Sequence, residues 1–332
     1  MNSRWLSRRS MLGTVATLVL VGLTGCADPD RSLPDGRIQV AVPAPVGAQD
    51  PAVIPSASVA PPDSCQPRES LRPQGAVPAP GRLPAGSAMA RIAQRGRLIV
   101  GVDQNSYRFG FRDPLTGELT GFDVDLAREI ARDLLGDPER IQFRAISSAD
   151  RIPAIQDGTV DLVVQTMTMN CERWEQVSFS TEYFTAGQRV LVTRDSPVKG
   201  IDDLGGEKVC ATAGSTSIRN LAEADSGPVP VSVVNWTDCL VMLQQNQVAA
   251  VSTDDSILAG LAGQDPNTQV VGDRFSDEPY GVAMSRTAPE LVRFVNAVLE
   301  RVREDGTWTR LYERSLSALG PAPTPPLARY RD

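Results

Sequence analysis

The sequence of 332 residues contains no histidine. Without histidine there is no Ser-His-Asp triad, no imidazole general base and no histidine-ligated metal site. Aromatic residues make up only 5% of the chain, and it has no Walker motif, no glycine-rich dinucleotide fingerprint and no Cys-x-x-Cys pair. We therefore expect neither a cofactor nor a metal.

The chain also lacks a surplus of basic residues. Its 33 Lys and Arg residues are outnumbered by 40 Asp and Glu, which gives a net charge of -7 and a pI of about 4.9. Binding to nucleic acid requires clustered Lys and Arg that neutralise phosphates, so we expect no nucleic-acid partner. The length is sufficient for two compact domains, each with its own hydrophobic core.

The first 26 residues have the order of an export signal. Arg4, Arg8 and Arg9 precede an apolar run over residues 11–23, which is too short for a typical membrane span. The run ends in Leu-Thr-Gly-Cys26, which resembles a bacterial lipobox. That resemblance implies cleavage before Cys26 and a lipid on this cysteine, which would anchor the protein to the outer face of the cell membrane.

The export route stays open. Residues 7–12, Ser-Arg-Arg-Ser-Met-Leu, also resemble a twin-arginine motif, but paired arginines occur in Sec signals too. An uncleaved membrane anchor is the alternative to a lipoprotein. Loss of the signal peptide, residues 1–25, would remove three arginines and no acid, leaving 30 basic against 40 acidic residues, a net charge of -10.

Residues 26–90 are rich in proline, alanine and glycine. Such a composition buries little apolar surface, so we expect a disordered tether that links the lipid to the folded body. Beyond it, short apolar strands alternate with segments of helical periodicity, for example a strand at 98–102 and a helix at 121–135 that stops at Gly136. The alternation predicts an α/β protein with two lobes, each a helix-covered sheet.

Two motifs resemble the family 3 extracellular solute-binding proteins. The first is Gly-Phe-Asp-Val-Asp-Leu at 121–126, followed at helical spacing by Ile130, Ala131 and Leu134. The second is Met-Thr-Met-Asn-Cys-Glu-Arg at 167–173, which is similar to the family's Thr-x-x-x-Glu-Arg run after a strand. The resemblance covers residues 96–319 and is more specific than either motif alone.

The resemblance implies a two-lobed periplasmic-binding-protein fold of type II, with two hinge strands and a ligand cleft between the lobes. Lobe 1 would comprise residues 91–184 and 284–332, and lobe 2 residues 188–278. The chain would cross between the lobes at residues 185–192 and 280–284. Members of the family bind polar amino acids for ABC importers.

A free amino acid carries a carboxylate and an ammonium, and each needs complementary charge before it leaves water. The guanidinium fork suits a carboxylate, and the resemblance assigns this role to Arg173. It also places the hydroxyl of Thr168 and the backbone carbonyl of Thr166 on the amino acid backbone. Asp254, which follows a predicted strand, matches the acid that binds the ammonium.

Lobe 2 contributes a hydroxyl-rich turn, 213–217, between a strand and a helix. The turn resembles the family's Ser-Gly-Thr-x-Ser loop and includes Ser215, Thr216 and Ser217 as candidate ligand contacts. Free backbone N–H groups at a helix start favour an anion. Ser217 is equally suited to be the N-cap of that helix, and both roles can coexist.

Simpler interpretations exist for the charged candidates. Arg173 would be a surface residue if it paired with Glu172 or Glu175. Asp255 competes with its neighbour Asp254, and the two would then form a solvated acidic pair.

Side-chain specificity depends on Arg151. Residues 149–153, Ala-Asp-Arg-Ile-Pro, resemble the Asn-Arg-Ile-Pro form of glutamate and aspartate binders. A second arginine in the pocket would pair with a side-chain carboxylate, whereas a neutral glutamine would leave it without a counter-ion. The alternative is a solvated Arg151 that pairs with Asp150 or Asp157.

Asp103 complicates this interpretation. It stands where some glutamate and aspartate binders carry arginine and where glutamine binders carry an acid that recognises the side-chain amide. Asp103 would therefore either orient Arg151 through a salt bridge or make the pocket accept an amide, and the sequence leaves both open. Tyr107 and Phe109 are candidate walls for the ligand's aliphatic part, unless they belong to the core.

The other four cysteines, Cys65, Cys171, Cys210 and Cys239, belong to an exported protein, so we expect disulfides, for which three pairings are possible. Cys210 lies on a predicted strand of lobe 2, and Cys239 lies in the first turn of the helix after the next strand, within reach. We favour this pair, which leaves Cys65 for Cys171, while the other pairings stay open. Without histidine, nothing obvious would activate Cys171 as a nucleophile.

These features predict a lipid-anchored, monomeric receptor that closes on glutamate or aspartate, with asparagine and glutamine behind them. Its partner would be an ABC permease or, alternatively, a transmembrane sensor. We do not expect an enzyme, although a dehydratase-like activity on the same architecture is a more distant alternative.

Overall fold

The computed structural model describes residues 42–54, 65–75, 77–80 and 82–332. The predicted signal peptide and the lipidation site Cys26 lie outside these residues. Within them, no helix has both the length and the apolar character needed to cross a membrane. The same residues contain no group of three or more Cys, Asp and Glu side chains arranged to hold a metal ion.

The described residues form seventeen strands, which are β1 (Glu69–Ser70), β2 (Leu98–Val102), β3 (Asn105–Ser106), β4 (Gly110–Arg112), β5 (Leu119–Thr120), β6 (Ile141–Ala145), β7 (Leu162–Val163), β8 (Ser178–Phe179), β9 (Phe184–Ala186), β10 (Gln188–Thr193), β11 (Lys208–Thr212), β12 (Val229–Val233), β13 (Ala250–Asp254), β14 (Thr268–Val271), β15 (Glu278–Tyr280), β16 (Ala283–Met284) and β17 (Arg329–Tyr330). Over the same part of the chain the α-helices are α1 (Ala88–Arg95), α2 (Phe122–Leu135), α3 (Arg151–Gln156), α4 (Cys171–Trp174), α5 (Thr216–Glu223), α6 (Trp236–Gln244), α7 (Asp255–Gln264), α8 (Pro289–Glu304) and α9 (Thr307–Leu316). Short 3-10 helices occur at Ile201–Leu204 and Ser317–Leu319.

The first five-stranded sheet, in the order β6-β2-β7-β16-β8, forms the centre of lobe 1. β2 runs parallel to β6 and β7, whereas β16 runs antiparallel to β7 and β8. Helix α2 supplies core residues to this lobe because Leu126, Ile130 and Leu134 recur on one face and are buried. The helix ends where Gly136 adopts a positive φ of 78°, as the sequence predicted.

The second five-stranded sheet, in the order β12-β11-β13-β10-β14, forms the centre of lobe 2. β11 runs parallel to both β12 and β13, and β10 runs antiparallel to β13 and β14. Its apolar residues form a core cluster of their own. The two mixed β-sheets, each with helices and a core of its own, form the predicted two-lobed α/β architecture.

Two extended segments connect the lobes. β9 leads directly into β10, and β15 returns the chain toward β16. β9 and β15 pair antiparallel, with Phe184 opposite Tyr280 and Ala186 opposite Glu278. The return strand begins at Glu278, two residues before the predicted crossover. Pro279 is tolerated within it because each strand of a two-stranded ribbon is an edge strand.

Described parts of the segment predicted to be a disordered tether contact both lobes. Gln49 exchanges backbone hydrogen bonds of 2.8 and 3.0 Å with Ser232 of β12, and Asp50 forms an ion pair with Lys208. β1 pairs in parallel with β17. Ala48, Ala52 and Ile54 also pack against the lobe 2 core, although the Pro- and Gly-rich composition did not indicate such contacts.

The structure forms the two disulfides that the sequence analysis favoured. Cys210 of β11 joins Cys239 of α6, with a Cα–Cα distance of 5.5 Å. Cys65 joins Cys171, at the first residue of α4, across 106 residues of sequence. The second bond fastens the N-terminal segment to lobe 1.

Replacing Cys65 and Cys171 together by serine is expected to lower the free energy of unfolding by about 2–5 kcal/mol, because the bond restricts the unfolded chain. Urea denaturation in oxidising buffer measures the loss. An unchanged midpoint would contradict a stabilising role for this bond.

Candidate functional site

The predicted ligand residues follow strand ends in both sheets. β7 leads to Thr166, Thr168 and Arg173, β11 leads to the turn before α5, and β13 ends at Asp254. Ligands of α/β sheets gather at such carboxyl ends of strands. The cleft between the two sheets is therefore the candidate site.

Arg173 is buried at the lobe interface. Its backbone N–H is bound by the Asn170 side chain, which caps α4. Its Nη1 donates to the Thr168 carbonyl at 2.8 Å, and its Nη2 donates to the Gly214 carbonyl at 3.2 Å. The surface pairing with Glu172 is not formed, because that residue pairs with Arg219 instead.

Arg151 is also buried, at the first position of α3. Its Nε donates to the Ser148 carbonyl at 2.9 Å, its Nη1 to the Gln165 carbonyl at 3.1 Å and its Nη2 to the Gly214 carbonyl at 3.3 Å. Pairing with Asp150 is absent, because that carboxylate accepts from Ser147. The side chain points inward, as a binding role requires.

Gly214 lets the two lobes approach at this point. Its φ is +75°, and a Cβ built on it would lie 2.6 Å from the Cα of Ala149 in lobe 1. A larger residue would separate the lobes. Because both guanidinium groups donate to its carbonyl, Gly214 brings Arg151 and Arg173 to one place.

In the described part of the chain, both guanidinium groups donate to backbone carbonyls and neither forms an ion pair within 4.0 Å. The nearest opposing charges act from farther away, from Asp254 on both arginines, from Glu278 on Arg173 and from Asp103 on Arg151. Burial, followed by the charge of Arg151, lowers the pKa of Arg173 to about 9. Burial likewise lowers the pKa of Arg151, against the opposing charges of Asp103 and Asp254. A cavity of about 290 Å³ is lined by both arginines, Gly214, Glu172 and Arg219, but not by Asp254 or Glu278. The two buried positive charges therefore favour the binding of an anion next to them.

Asp254 supplies the opposite charge from lobe 2. It is 3% exposed, and one of its carboxylate oxygens accepts from the Tyr280 hydroxyl. Its other oxygen, Oδ1, is buried without a hydrogen-bond partner. Burial and then the charge of Glu278 raise the pKa of Asp254 well above its usual range. The competing Asp255 pairs with Arg274 instead, which leaves Asp254 as the acid with a free acceptor.

Glu278 is a site residue that the sequence analysis missed. Its Oε2 accepts from the hydroxyls of Thr168, at 2.5 Å, and Thr216, at 2.8 Å. Thr168 belongs to lobe 1 and Thr216 to lobe 2, so this carboxylate of the hinge strand β15 joins two predicted ligand residues. No motif surrounds Glu278 in the sequence, and only the chain's return across the hinge places it here.

The two serines of the lobe 2 turn have other partners than expected. Ser215, not Ser217, is the N-cap of α5, and its Oγ accepts from the backbone N–H of Ile218 at 3.1 Å. The positive φ of Gly214 places Ser215 in the extended conformation that an N-cap needs. Ser217 is buried inside the helix and shares a hydrogen bond of 2.9 Å with Thr253.

Asp123 is a second residue that the sequence analysis missed, and it binds the backbone of Thr166. The Thr166 backbone N–H donates to Asp123 at 2.8 Å, and Thr166 adopts an unusual φ of +39°. Asp123 also accepts from the Tyr183 hydroxyl at 2.9 Å. Burial raises the pKa of Asp123 to about 7. Its position within the motif at 121–126 was the available signal.

Asp103 and Tyr107 are not in contact with these groups. Asp103 accepts from the backbone N–H groups of Gln104 and Asn105 and from the Ser106 hydroxyl, so it stabilises its own turn and forms no salt bridge with Arg151. Tyr107 stacks edge-to-face on Phe111, 5.0 Å away.

The ring of Tyr107 lies beside Gly263 of α7 rather than beside the arginines, because its turn packs on that helix. Phe109 is fully buried in the aromatic core, next to Phe122, Phe184 and Tyr280. Neither aromatic residue forms the expected wall in this conformation.

A comparison with known families matches residues 98–318 to the bacterial extracellular solute-binding proteins, family 3. The chain belongs to this family. The resemblance seen in the two motifs is thereby confirmed, as is the two-lobed fold that it implied.

Relatives of this family 3 protein carry amino acids. The ABC transporter glutamine-binding protein GlnH of Bacillus subtilis is 38% identical over 68% of this chain and 83% of its own length. The glutamate-binding protein GluB of Corynebacterium glutamicum is 31% identical over 70% of this chain and 82% of its own length. Both relatives are named for the amino acid that they bind, and the first is named as part of an ABC transporter.

Solved structures give the same fold. An ancestral arginine-binding protein bound to glutamine superposes with a TM-score of 0.63 and 36% identity, covering 67% of this chain and 98% of that one. Holo ArgBP from T. maritima gives a TM-score of 0.62 and 32% identity, covering 65% of this chain and 94% of that one.

The family 3 protein is in a closed conformation in this structure. Besides the Gly214 contact, Asn105 of lobe 1 donates to Asn235 of lobe 2 at 2.9 Å. Glu172 of lobe 1 pairs with Arg219 of lobe 2. These contacts lie on the cleft side, where closing lobes meet.

Gly214→Ala is expected to prevent full closure, because the new methyl group would overlap Ala149. We expect at least a tenfold weaker affinity for the amino acid bound by the wild type, and a larger ligand-bound radius of gyration by X-ray scattering.

Gly206→Ala is the matched control, because Gly206 has φ +74° and open space around its Cβ position. Both variants bear the cost of a positive φ, but only Gly214→Ala meets the other lobe. Equal affinities of the two variants would contradict the role assigned to Gly214.

The raised pKa of Asp123 predicts a pH-dependent stability. The native protein keeps this proton up to about pH 7, whereas the unfolded chain loses it near the ordinary value of 3.8. Between these values the free energy of unfolding falls with rising pH by up to about 1.4 kcal/mol per unit. Relative to Asp123→Asn, the wild type should therefore be most stable near pH 4 and lose that advantage by pH 7.

Urea denaturation between pH 4 and pH 8 measures this difference. Asp273→Asn makes the same change at an exposed position and serves as the control. A stability difference between wild type and Asp123→Asn that stays constant with pH would exclude the proposed titration.

Proposed function

We propose that this protein binds glutamate or aspartate between its lobes and delivers the amino acid to an ABC importer, with asparagine and glutamine as weaker ligands. The observation that carries the proposal is the pair of buried guanidinium groups that form no ion pair with any residue the structure describes. Two buried cations are costly in a closed cleft. A ligand with two carboxylates would neutralise both.

The backbone of the ligand would meet Arg173 and Asp254. Arg173 is suited to the α-carboxylate through its planar fork. The unpartnered Oδ1 of Asp254 is suited to the α-ammonium, whose charge would offset the cost of ionising this buried acid. Since the two residues belong to different lobes, a ligand that binds both would favour closure.

Arg151 would recognise the side chain. Relatives include both glutamine-binding and glutamate-binding proteins, so descent alone leaves the choice open. An acidic side chain is favoured because a neutral amide would leave Arg151 uncompensated. Asp103 favours this choice to a smaller degree, because three of its four lone-pair sites already accept hydrogen bonds from its own turn and one is left for an amide.

The protein would work outside the cell as a monomer. Its relatives include components of ABC importers, which implies a permease as the membrane partner. We propose that a lipid on Cys26 keeps the receptor at the outer face of the cell membrane, after export by the Sec or the twin-arginine route.

Arg151→Gln is expected to weaken glutamate binding more than tenfold while glutamine binding changes little, because only the acidic side chain needs the lost charge. Isothermal titration calorimetry with glutamate, aspartate, glutamine and asparagine measures both effects.

Arg144→Gln provides a matched control, since Arg144 is exposed on β6. An equal loss for glutamate and glutamine would remove Arg151 as the specificity residue. A wild-type protein that binds none of the four amino acids would overturn the proposed function.

A further inference from the structure

Glu278 is the buried carboxylate of the cleft whose oxygens are fully used by hydrogen-bond donors. Besides the two threonine hydroxyls on Oε2, its Oε1 accepts from Asn220 Nδ2 at 3.0 Å and from the Ser276 hydroxyl at 2.6 Å. The residue is 2% exposed. These four donors match the four lone-pair sites of an ionised carboxylate.

These hydrogen bonds determine that both threonine hydroxyls act as donors toward Glu278. A hydroxyl has one hydrogen, and an ionised carboxylate can only accept. Thr168 and Thr216 must therefore each give their hydrogen to Glu278. The two hydroxyl oxygens are 3.4 Å apart, and each, having given its one hydrogen to Glu278, can act toward a ligand only as an acceptor.

We propose that Glu278 is a positioning residue that selects ligands carrying an ammonium group, because it turns Thr168 and Thr216 into hydrogen-bond acceptors. An ammonium brings several N–H donors and can satisfy these lone pairs together with Oδ1 of Asp254. A ligand that lacks the ammonium leaves all three acceptors without a donor, which is costly in a dry site. The inference rests on the proposed function.

The position of Glu278 on the hinge strand links this selection to closure. Thr168 comes from lobe 1 and Thr216 from lobe 2, so both hydroxyls reach the same Oε2 only when the lobes are together. The set of acceptors for the ammonium is thus completed in the closed conformation.

A purely structural latch would behave differently. If Glu278 only held the lobes together, its removal would weaken every ligand of the cleft to the same degree. If it orients the hydroxyls, its removal would weaken ligands that carry the ammonium and spare those that lack it. The ratio of the two affinities separates these roles.

The test compares glutamate with glutarate, which has the same two carboxylates and no ammonium, in wild type and Glu278→Gln. The amide introduced by this substitution can donate to the threonines, which frees their hydrogens and removes acceptors. We expect the dissociation constant of glutamate to rise at least tenfold while that of glutarate, measured by displacement of labelled glutamate, stays within threefold.

A second pair of variants covers the case in which Glu278→Gln does not fold. Thr216→Val removes one acceptor and is expected to lower the preference for glutamate over glutarate. Thr216→Ser keeps the hydroxyl and should restore that preference. Glu223→Gln, the same change as Glu278→Gln at an exposed position in the last turn of α5, should match the wild type.

Equal losses for glutamate and glutarate, or an unchanged preference in both Glu278→Gln and Thr216→Val, would overturn the inference and leave the proposed function intact. A wild type that binds no amino acid would overturn the proposed function and this inference with it.

Discussion

The carbonyl oxygen of Gly214 accepts hydrogen bonds from two buried arginines, and the rest of the site depends on this contact. It requires a residue without a side chain, because the backbone of lobe 2 passes directly against Ala149 of lobe 1. It also brings Arg151 and Arg173 together, and among the described residues neither is in an ion pair. Burial makes their charges costly, so the closed cleft is best stabilised by an anion that enters from outside.

The acidic groups of the cleft come mostly from the hinge and from lobe 2. Glu278 and Tyr280 lie on the same return strand, where Glu278 binds two threonines and the Tyr280 hydroxyl holds one oxygen of Asp254. The hinge therefore does more than connect the lobes. Because it carries polar groups into the cleft, a change in its geometry also changes how the ligand's ammonium would be met.

The segments outside the family match attach themselves to both lobes. Residues near Gln49 extend the edge of the lobe 2 sheet, β1 pairs with β17, and Cys65, which precedes β1, is bonded to Cys171 of lobe 1. Cys171 is two residues from Arg173, so the disulfide fixes the short helix that presents this arginine. A disulfide, edge-strand hydrogen bonds and apolar contacts thus join these segments to the two lobes.

Local chemistry in the sequence determined the family, the two lobes and the residues that belong to contiguous motifs. Arg173, Thr168 and Asp254 became candidates because they match the motifs of the family that the sequence resembles. The tertiary structure alone decided which groups meet across the chain. Glu278 reaches Thr168 from 110 residues away, and Asp123 reaches Thr166 from 43 residues away.

The tertiary structure also differs from the local sequence patterns at two places. Ser215 is the helix cap, two residues before the expected Ser217, because the backbone turns at Gly214. Tyr107 lies against α7 and not beside the arginines. Residue type and spacing specify what a side chain can bind, and sequence therefore sufficed for the class of site. Which partner it meets depends on how two distant sheets close on one another, and that is a property of the packed chain.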